Sequence, residues 1–253
     1  MIATVNVLGV GVSAVNPALA VAELHRWIAE GERRYVCVSG VHGVMECHRD
    51  PSLKAIHNHA GLVLPDGMPL AWWVRGAGHP EADRVCGPEF MPLVFETLHG
   101  RRHFFFGSTK KTLRDLIRRV KAQYPDAKIA GSISPPFRNV TDEEDAEIVR
   151  TINDSGADIV WVGLSTPKQE RWMAAHRGRL TAPALIGVGA AFDMQAGHIN
   201  RAPKFIRRTG FEWAYRLILE PRRLWRRYLL NNPAFVVLAA AQITRLMSFP
   251  APR

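Results

Sequence analysis

The stretch LVLPDGMPLAWW, residues 62–73, changes from a strand-like to a helix-like pattern within one short segment. Leu62–Leu64 is a continuous apolar run typical of a buried strand, whereas Met68–Trp73 suits a helix with Pro69 in its first turn. Asp66 therefore lies where a strand passes into a helix, and it precedes Gly67, which tolerates unusual backbone angles. From this local pattern, a turn or helix N-cap role for Asp66 is favoured over a reactive one.

The same alternation of strand and helix patterns extends through the first 200 residues. Strands are predicted at Val5–Val10, Tyr35–Val38, Leu62–Leu64, His103–Phe106, Lys128–Ala130, Ile159–Val162 and Ala184–Val188. Helices are predicted at Pro17–Ala29, Pro88–Leu98, Lys111–Ala122, Asp142–Asn153 and Pro167–His176. This order predicts an α/β catalytic domain over residues 1–200, in which helices cover both faces of a mostly parallel sheet.

The overall composition is that of a globular protein, with 47% hydrophobic and 22% charged residues. The three cysteines (Cys37, Cys47 and Cys86) are odd in number and widely spaced, which suits reduced thiols better than disulfides or a zinc site. The N-terminus lacks the basic segment of a signal peptide, and no run reaches the ~18 apolar residues of a membrane span. We therefore expect a cytoplasmic protein.

The net charge of +10 is concentrated at the C-terminal end of the chain. Residues 201–253 contain eleven Lys and Arg against two acidic residues, whereas residues 1–200 contain 22 basic and 21 acidic residues. Such asymmetry indicates a polyanionic partner, which could be nucleic acid, an anionic membrane or a phosphorylated substrate.

Residues 201–253 are predicted to form a basic helical appendage, which Pro221 and Pro233 divide into short helices. In the segment EWAYRLILEPRRLWRRYLL, residues 212–230, arginines alternate with Trp and Tyr, which suits phosphate groups or the interface of an anionic membrane. The apolar run Ala234–Ile243 is too short to span a bilayer. It predicts a core helix, an interfacial anchor or a contact in a homo-oligomer.

Small and polar residues follow four of the predicted strands, where a doubly wound sheet binds its ligands. These turns are Asp66-Gly67, Gly107–Thr109, Gly163–Glu170 and Gly187–Asp193, and together they favour a nucleotide-type ligand. The Gly9-Val10-Gly11 pair lacks the third glycine and the acidic partner of a dinucleotide fingerprint, and no P-loop is present. A hydride-transfer enzyme is therefore not expected. The histidines and cysteines show no metal-ligand spacing, so no metal cofactor is predicted.

The motifs together resemble the WecG/TagA/CpsF family of bacterial glycosyltransferases (glycosyltransferase family 26). The matching segments are PDGMPL (65–70), RVCGPEF (84–90), VGLSTPKQERW (162–172), IGVGAAFDMQAGHINRAP (186–203) and FEWAYRLILEPRRLWRRY (211–228). The resemblance implies a Rossmann-like fold whose C-terminal appendage reaches the membrane and helps to complete the active site. It also implies an enzyme bound peripherally to the inner face of the plasma membrane.

The activity implied by the resemblance is an inverting transfer in cell-surface polysaccharide synthesis. An N-acetylmannosamine-type sugar would move from a UDP donor to a polyprenyl-diphosphate-linked acceptor sugar. By matching position, Asp66 is implied as the general base, and Gln169 as a sugar or nucleotide contact. Arginines near the diphosphate would be Arg216, Arg222 and Arg226. Further candidate substrate-binding residues are Ser39, His42, Arg84, Gly107, Glu170 and Asp193.

The sequence departs from the family pattern after the second strand. Many members carry a Thr-x-Asn element there, whereas this chain has Ser39-Gly40-Val41-His42. Ser39 keeps a hydroxyl, but the amide is lost at Val41, next to His42. Ser165 likewise replaces a glycine. These changes concern the identity of the sugar. Three alternatives stay open: a transferase that uses a glucosyl or N-acetylglucosaminyl UDP donor, a nucleic-acid-binding protein, and a nonenzymatic scaffold.

Overall fold

The computed structural model describes residues 2–250, without the side chain of Lys204. The strands are β1 Thr4–Val7, β2 Val10–Ser13, β3 Arg34–Ser39, β4 Leu62–Pro65, β5 Arg102–Gly107, β6 Lys128–Ile133, β7 Ile159–Gly163 and β8 Ala184–Gly187. The helices are α1 Pro17–Glu30, α2 Val41–Arg49, α3 Pro51–Asn58, α4 Met68–Gly76, α5 Gly87–Thr97, α6 Lys110–Gln123, α7 Asp142–Asp154, α8 Lys168–His176, α9 Ala191–Gln195, α10 Lys204–Arg208, α11 Glu212–Leu219 and α12 Pro221–Ile243.

Six strands form one sheet in the order β4-β3-β8-β7-β5-β6. The pairs β3/β8, β8/β7, β7/β5 and β5/β6 are all parallel, which confirms the predicted α/β class. Strands β7 and β8 are buried along almost their whole length, as their apolar sequences IVWVG and ALIG require. Strand β6 lies at the edge, and its residues are partly exposed.

The chain forms two compact units. One contains Met1–Pro17, Val38–Cys86 and Arg201–Arg253, and the other contains Ala18–Cys37 and Gly87–Asn200. We call them the first and the second unit. Strand β3 begins in the second unit and ends in the first. The predicted helical character of the C-terminal region is confirmed by α10, α11 and α12, and they belong to the same unit as the Asp66 turn.

The predicted strand Val5–Val10 is wrong, because these residues contain a hairpin turn. Strands β1 and β2 pair in antiparallel fashion, with Val7 opposite Val10. The two residues between them, Leu8 and Gly9, have φ values of 51° and 89°, the left-handed geometry that matches the twist of a two-residue hairpin. The side chain of Asn6 accepts a hydrogen bond from the Gly9 amide and stabilises the turn.

The predicted break at Pro233 is also wrong, because α12 continues through this residue from Pro221 to Ile243. Pro221 does open the helix, where its missing N–H costs nothing. Pro233 leaves the carbonyl of Leu229 without its helical partner. Both residues are exposed, so water can satisfy that carbonyl and the helix persists.

The end of α12 is hydrogen-bonded to the β1–β2 turn through the side chain of Gln242. Its side-chain amide donates to the Asn6 carbonyl at 2.9 Å, and its amide oxygen accepts from the Leu8 amide at 2.8 Å. Asn6 in turn donates to the carbonyl of Phe249 at 2.9 Å. The hairpin that lies within the predicted strand Val5–Val10 thus holds the C-terminal helix within the first unit.

We expect Gln242→Ala to lower the free energy of unfolding by about 1–2 kcal/mol, because two hydrogen bonds of the Gln242 side chain are lost. Urea unfolding of the full-length protein measures this change. Gln123→Ala provides the control, since Gln123 is an exposed glutamine at the end of α6. Equal stability of the two variants would contradict a stabilising role for the Gln242 hydrogen bonds.

Candidate active site

Asp66 lies between β4 and α4, as the opening sequence pattern predicts. The N-cap of α4 is Gly67, with a φ of 99°, and no side chain bonds the free amides there. The N-cap role for Asp66 is therefore wrong. Its backbone amide donates to the Ser39 carbonyl at 3.0 Å, and a Cβ atom at Gly40 would lie 2.7 Å from the Asp66 carbonyl oxygen. The turn is thus packed directly against the end of β3.

The Asp66 carboxylate is exposed to solvent and makes no hydrogen bond with any residue in the range 2–250. The surrounding protein nevertheless displaces much of its hydration, and this desolvation raises the pKa of Asp66 to about 6. The negative charge of Glu212 raises it further, whereas the positive charges of Arg216, Arg227 and Arg84 act in the opposite direction. A reachable carboxylate with a pKa near neutrality is suited to accepting a proton.

Arg84 and Glu212 form an ion pair within this charged group. The Nη1 atom of Arg84 donates to Oε2 of Glu212 at 3.1 Å, and Arg84 is 8% exposed. The next residue, Val85, donates its amide to the carbonyl of Pro65, directly before Asp66. The ion pair therefore joins the first turn of α11 to the segment beside the Asp66 turn.

Of the three predicted arginines, Arg216 affects the pKa of Asp66, whereas Arg222 and Arg226 occupy exposed positions on α12. Arg216 acts on the Asp66 carboxylate, and its buried Nε atom has no hydrogen-bond partner among the described residues. Arg222 and Arg226 lie on the exposed side of α12, where Arg226 stacks on the Trp225 ring at 5.2 Å. The α12 arginine whose charge acts on Asp66 is Arg227. Sequence reasoning missed this residue.

His42 and Ser39 also lie in the first unit. His42, in the first turn of α2, accepts a hydrogen bond at Nδ1 from Asn231 of α12 at 3.0 Å. Ser39 is 2% exposed, and a Cβ atom at Gly43 would lie 2.2 Å from its hydroxyl oxygen. The Ser39 hydroxyl is therefore directed at α2, whereas the His42 side chain keeps 19% of its surface exposed.

In the second unit, Gln169 and Glu170 form a buried network at the start of α8. The amide oxygen of Gln169 accepts from the Gly189 amide at 3.0 Å, and its NH₂ group donates to Oε1 of Glu170 at 3.0 Å. The Thr166 hydroxyl donates to the same Glu170 oxygen at 2.9 Å. Both polar groups of the Gln169 amide are thus used within the protein, where they hold the loop after β8.

Asp193 and Gly107 also belong to the second unit. An Asp193 oxygen accepts from the Thr112 hydroxyl at 3.0 Å and lies 3.9 Å from Nδ1 of His198. Gly107 ends β5 with a φ of 122°, and a Cβ atom there would lie 2.6 Å from the Gly163 carbonyl oxygen. Gly107 is therefore required by the close approach of two strand ends.

Seven of the predicted site residues lie in the first unit, namely Ser39, His42, Asp66, Arg84, Arg216, Arg222 and Arg226. Gly107, Gln169, Glu170 and Asp193 lie in the second. Sequence reasoning missed Glu212, Arg227 and Asn231. Helical spacing offered one signal for the last two, because Arg227 and Asn231 are four residues apart, and Asn231 lies on the buried side of α12.

The comparisons with known proteins agree on one family. The model of the Glycosyl transferase WecG/TagA/CpsF family matches residues 5–248. An N-acetylglucosaminyldiphosphoundecaprenol N-acetyl-beta-D-mannosaminyltransferase of Bacillus spizizenii is 31% identical over 193 residues, which cover 76% of this chain and 72% of the relative. Its Bacillus subtilis namesake is 26% identical over 236 residues, or 91% and 78%. The Staphylococcus aureus protein of that name is 27% identical over 181 residues, or 71% and 68%.

We expect Glu212→Gln to lower the titration midpoint of Asp66 from about 6, by on the order of half a pH unit. The substitution removes the negative charge that raises the pKa of Asp66 and that pairs with Arg84, and both changes stabilise the ionised carboxylate. The midpoint can be measured by ¹³C NMR of aspartate-labelled protein, with the Asp66 signal assigned by its loss in Asp66→Asn.

Glu220→Gln is the matched control for this titration. Glu220 is a second acidic residue of the C-terminal region, and it pairs with Arg223 at 2.6 Å. Its substitution should leave the Asp66 midpoint in place. The assignment of Glu212 is contradicted if both variants titrate like the wild type.

Proposed function

The chain belongs to the WecG/TagA/CpsF family of glycosyltransferases, and we propose that it transfers an N-acetylmannosamine-type sugar from UDP to a polyprenyl-diphosphate-linked acceptor sugar. The relatives are named for transfer of N-acetyl-beta-D-mannosamine to N-acetylglucosaminyldiphosphoundecaprenol, and we extend that acceptor class to this chain. The observation that carries the proposal is the Asp66 carboxylate, which is solvent-accessible, free of hydrogen bonds to the described residues, and faced by arginines.

In the proposed reaction, the acceptor hydroxyl oxygen attacks the anomeric carbon while the bond from that carbon to UDP breaks. Asp66 takes the proton of the hydroxyl, so that the attacking oxygen gains the electron density that it needs. UDP leaves with the bonding electron pair, and attack from the opposite face inverts the anomeric centre. Arg216 and Arg227 lie close enough to Asp66 to act on its charge, and we propose that they stabilise diphosphate there without a metal.

The remaining candidate residues have a supporting role in this proposal. Arg84 would contact substrate while Glu212 fixes its guanidinium. Gln169 and Glu170 would act as positioning residues in the second unit, because they fix the loop after β8 through the Gly189 amide, and we propose that this loop contacts the nucleotide. Asp193 and the close-packed strand end at Gly107 would shape the same region.

We expect Asp66→Asn to lower the rate of sugar transfer at least about a hundredfold, because the amide cannot accept the proton. A panel of UDP-sugars with a short-chain diphospholipid acceptor measures the rate and identifies the donor. UDP binding by calorimetry should persist in this variant, and the exposed Asp126→Asn should transfer normally. Wild-type activity in Asp66→Asn would refute the base assignment, and failure of every UDP-sugar with the wild type would refute the transferase.

The same proposal places the protein peripherally on the inner face of the plasma membrane, and α12 supports it. The buried face of this helix carries Leu224, Tyr228, Asn231, Phe235 and Ala239. Its opposite face is apolar and exposed, and consists of Trp225, Leu229, Leu230, Val236, Val237 and Ile243. We call these six residues the outer stripe. Positions 225, 229, 236 and 243 are separated by four or seven residues, as are 230 and 237 by seven, so the six side chains form one continuous surface along the helix.

Arg222 and Arg226 lie on the same side of α12, at the N-terminal end of the outer stripe. An apolar helix face with arginines at one end suits an anionic bilayer, because the side chains enter the headgroup boundary while the guanidinium groups meet phosphate. Nucleic acid would leave these apolar side chains in water, so the outer stripe favours the membrane. None of the helices within residues 2–250 has the length and hydropathy needed to cross a bilayer.

We expect the double substitution Leu230→Glu with Val237→Glu to weaken sedimentation with anionic vesicles at least about tenfold, because two apolar groups are replaced by charges. These residues are 61% and 67% exposed, so folding should not depend on them. Phe137→Glu is the control, as Phe137 is 88% exposed and lies outside α12. Unchanged sedimentation would contradict the membrane role of the outer stripe.

A further inference from the structure

A chain of hydrogen bonds runs from Arg49 to His42 through Asn231. The Nη2 atom of Arg49 lies 2.5 Å from Oδ1 of Asn231, and Nδ2 of Asn231 lies 3.0 Å from Nδ1 of His42. Asn231 is in the middle of α12 and 4% exposed, whereas Arg49 and His42 belong to α2. The three side chains therefore form a polar contact between two helices of the first unit.

The donors and acceptors in this series of hydrogen bonds allow only one arrangement of protons. An arginine can only donate, so the Asn231 atom facing Arg49 must be the amide oxygen. The Asn231 atom facing His42 is then the NH₂ group, which can only donate. Nδ1 of His42 must accept, and the single proton of the neutral ring therefore lies on Nε2.

Burial and the nearby positive charges keep the ring of His42 neutral. Burial lowers the pKa of His42 to about 3, and the positive charges of Arg227 and Arg49 act in the same direction. Glu46 is the acidic group nearest to the ring, with Oε1 3.7 Å from Nδ1. That oxygen is paired with Nη1 of Arg49 at 3.0 Å, and the Asn231 amide is nearer to Nδ1. Glu46 therefore does not replace Asn231 as the partner.

The Nε2–H group of His42 is directed away from this contact. No residue within 2–250 forms a hydrogen bond with Nε2, and the side chain keeps 19% of its surface exposed. A Cβ atom at Gly40, two residues before His42, would lie 2.7 Å from the Asp66 carbonyl oxygen, so His42 follows a backbone contact with the Asp66 turn. The charge of Arg227 acts on both His42 and Asp66. An available N–H donor is thus present in the region where Asp66 is the available acceptor.

We infer that Asn231 and Arg49 are positioning residues, which hold His42 as the neutral Nε2–H tautomer. In that form His42 donates a hydrogen bond to a sugar or phosphate oxygen of the substrate and does not act as a second base. This inference rests on the proposed transferase function. It assigns opposite roles to two neighbouring groups, since Asp66 accepts the proton and His42 only orients the substrate.

The tautomer can be read directly from the ¹⁵N spectrum of the histidine ring, without any substrate. In the wild type at pH 7, the signal of His42 should show a protonated Nε2 and an unprotonated Nδ1. Asn231→Asp cannot donate, so it should move the proton to Nδ1 or charge the ring. Asn232→Asp adds the same charge one residue further along α12 and should leave the spectrum unchanged. A wild-type ring that is charged or protonated at Nδ1 would overturn the inference.

Transfer assays test the role of the donor. His42→Gln keeps an N–H donor without basicity and should retain activity within about tenfold, whereas His42→Met has no donor and should lose more than that. Asn231→Asp should lose about tenfold, and Asn232→Asp should remain near the wild type. Equal loss in His42→Gln and His42→Met would overturn the inference while leaving transfer intact. A wild type that transfers no sugar would refute the proposed function, whatever the ring spectrum shows.

Discussion

The balance of charge around Asp66 is the constraint on which the candidate site depends. Desolvation alone would favour a protonated carboxyl group, which cannot accept a proton. Arg216, Arg227 and Arg84 favour the ionised form, and Glu212 offsets part of their effect. The result is a carboxylate with a pKa of about 6, ionised near neutral pH yet still basic enough to bind a proton. A stronger positive field would ionise it more firmly and make it a poorer base.

Helix α12 supplies one of these charges, Arg227, and its two faces differ in their surroundings. The buried face carries Asn231, and Arg227 lies four residues before it, so one packing arrangement delivers both groups to the neighbourhood of α2 and the Asp66 turn. The opposite face carries the outer stripe, which contributes little to the packing of the first unit. On the proposed membrane role, substitutions on the outer stripe would therefore change membrane affinity without disturbing the charges at Asp66.

The sequence predicts the strands of the parallel sheet well, because continuous apolar runs such as those of β5 and β7 have few alternative structures. It fails where backbone geometry depends on distant contacts. The Leu8-Gly9 turn is stabilised partly by Gln242, more than 200 residues away, and α12 passes Pro233 because the freed carbonyl faces water. Among clustered arginines, a shift of one residue rotates the side chain by about 100°. The family resemblance implies Arg226, whereas the α12 arginine whose charge acts on Asp66 is the adjacent Arg227.

On the proposed function, the location of α12 also explains how the residues around Asp66 would act on a lipid-linked substrate. The reacting sugar of such an acceptor is separated from the bilayer only by a diphosphate, so the base must act close to the headgroups. If the outer stripe lies in the membrane interface, it sets the distance between the bilayer and the residues that pack on the opposite face of α12. Arg227 and, through Asn231, His42 are attached to that face. The same helix that would bind the membrane would therefore hold the site within reach of a diphosphate at the membrane surface.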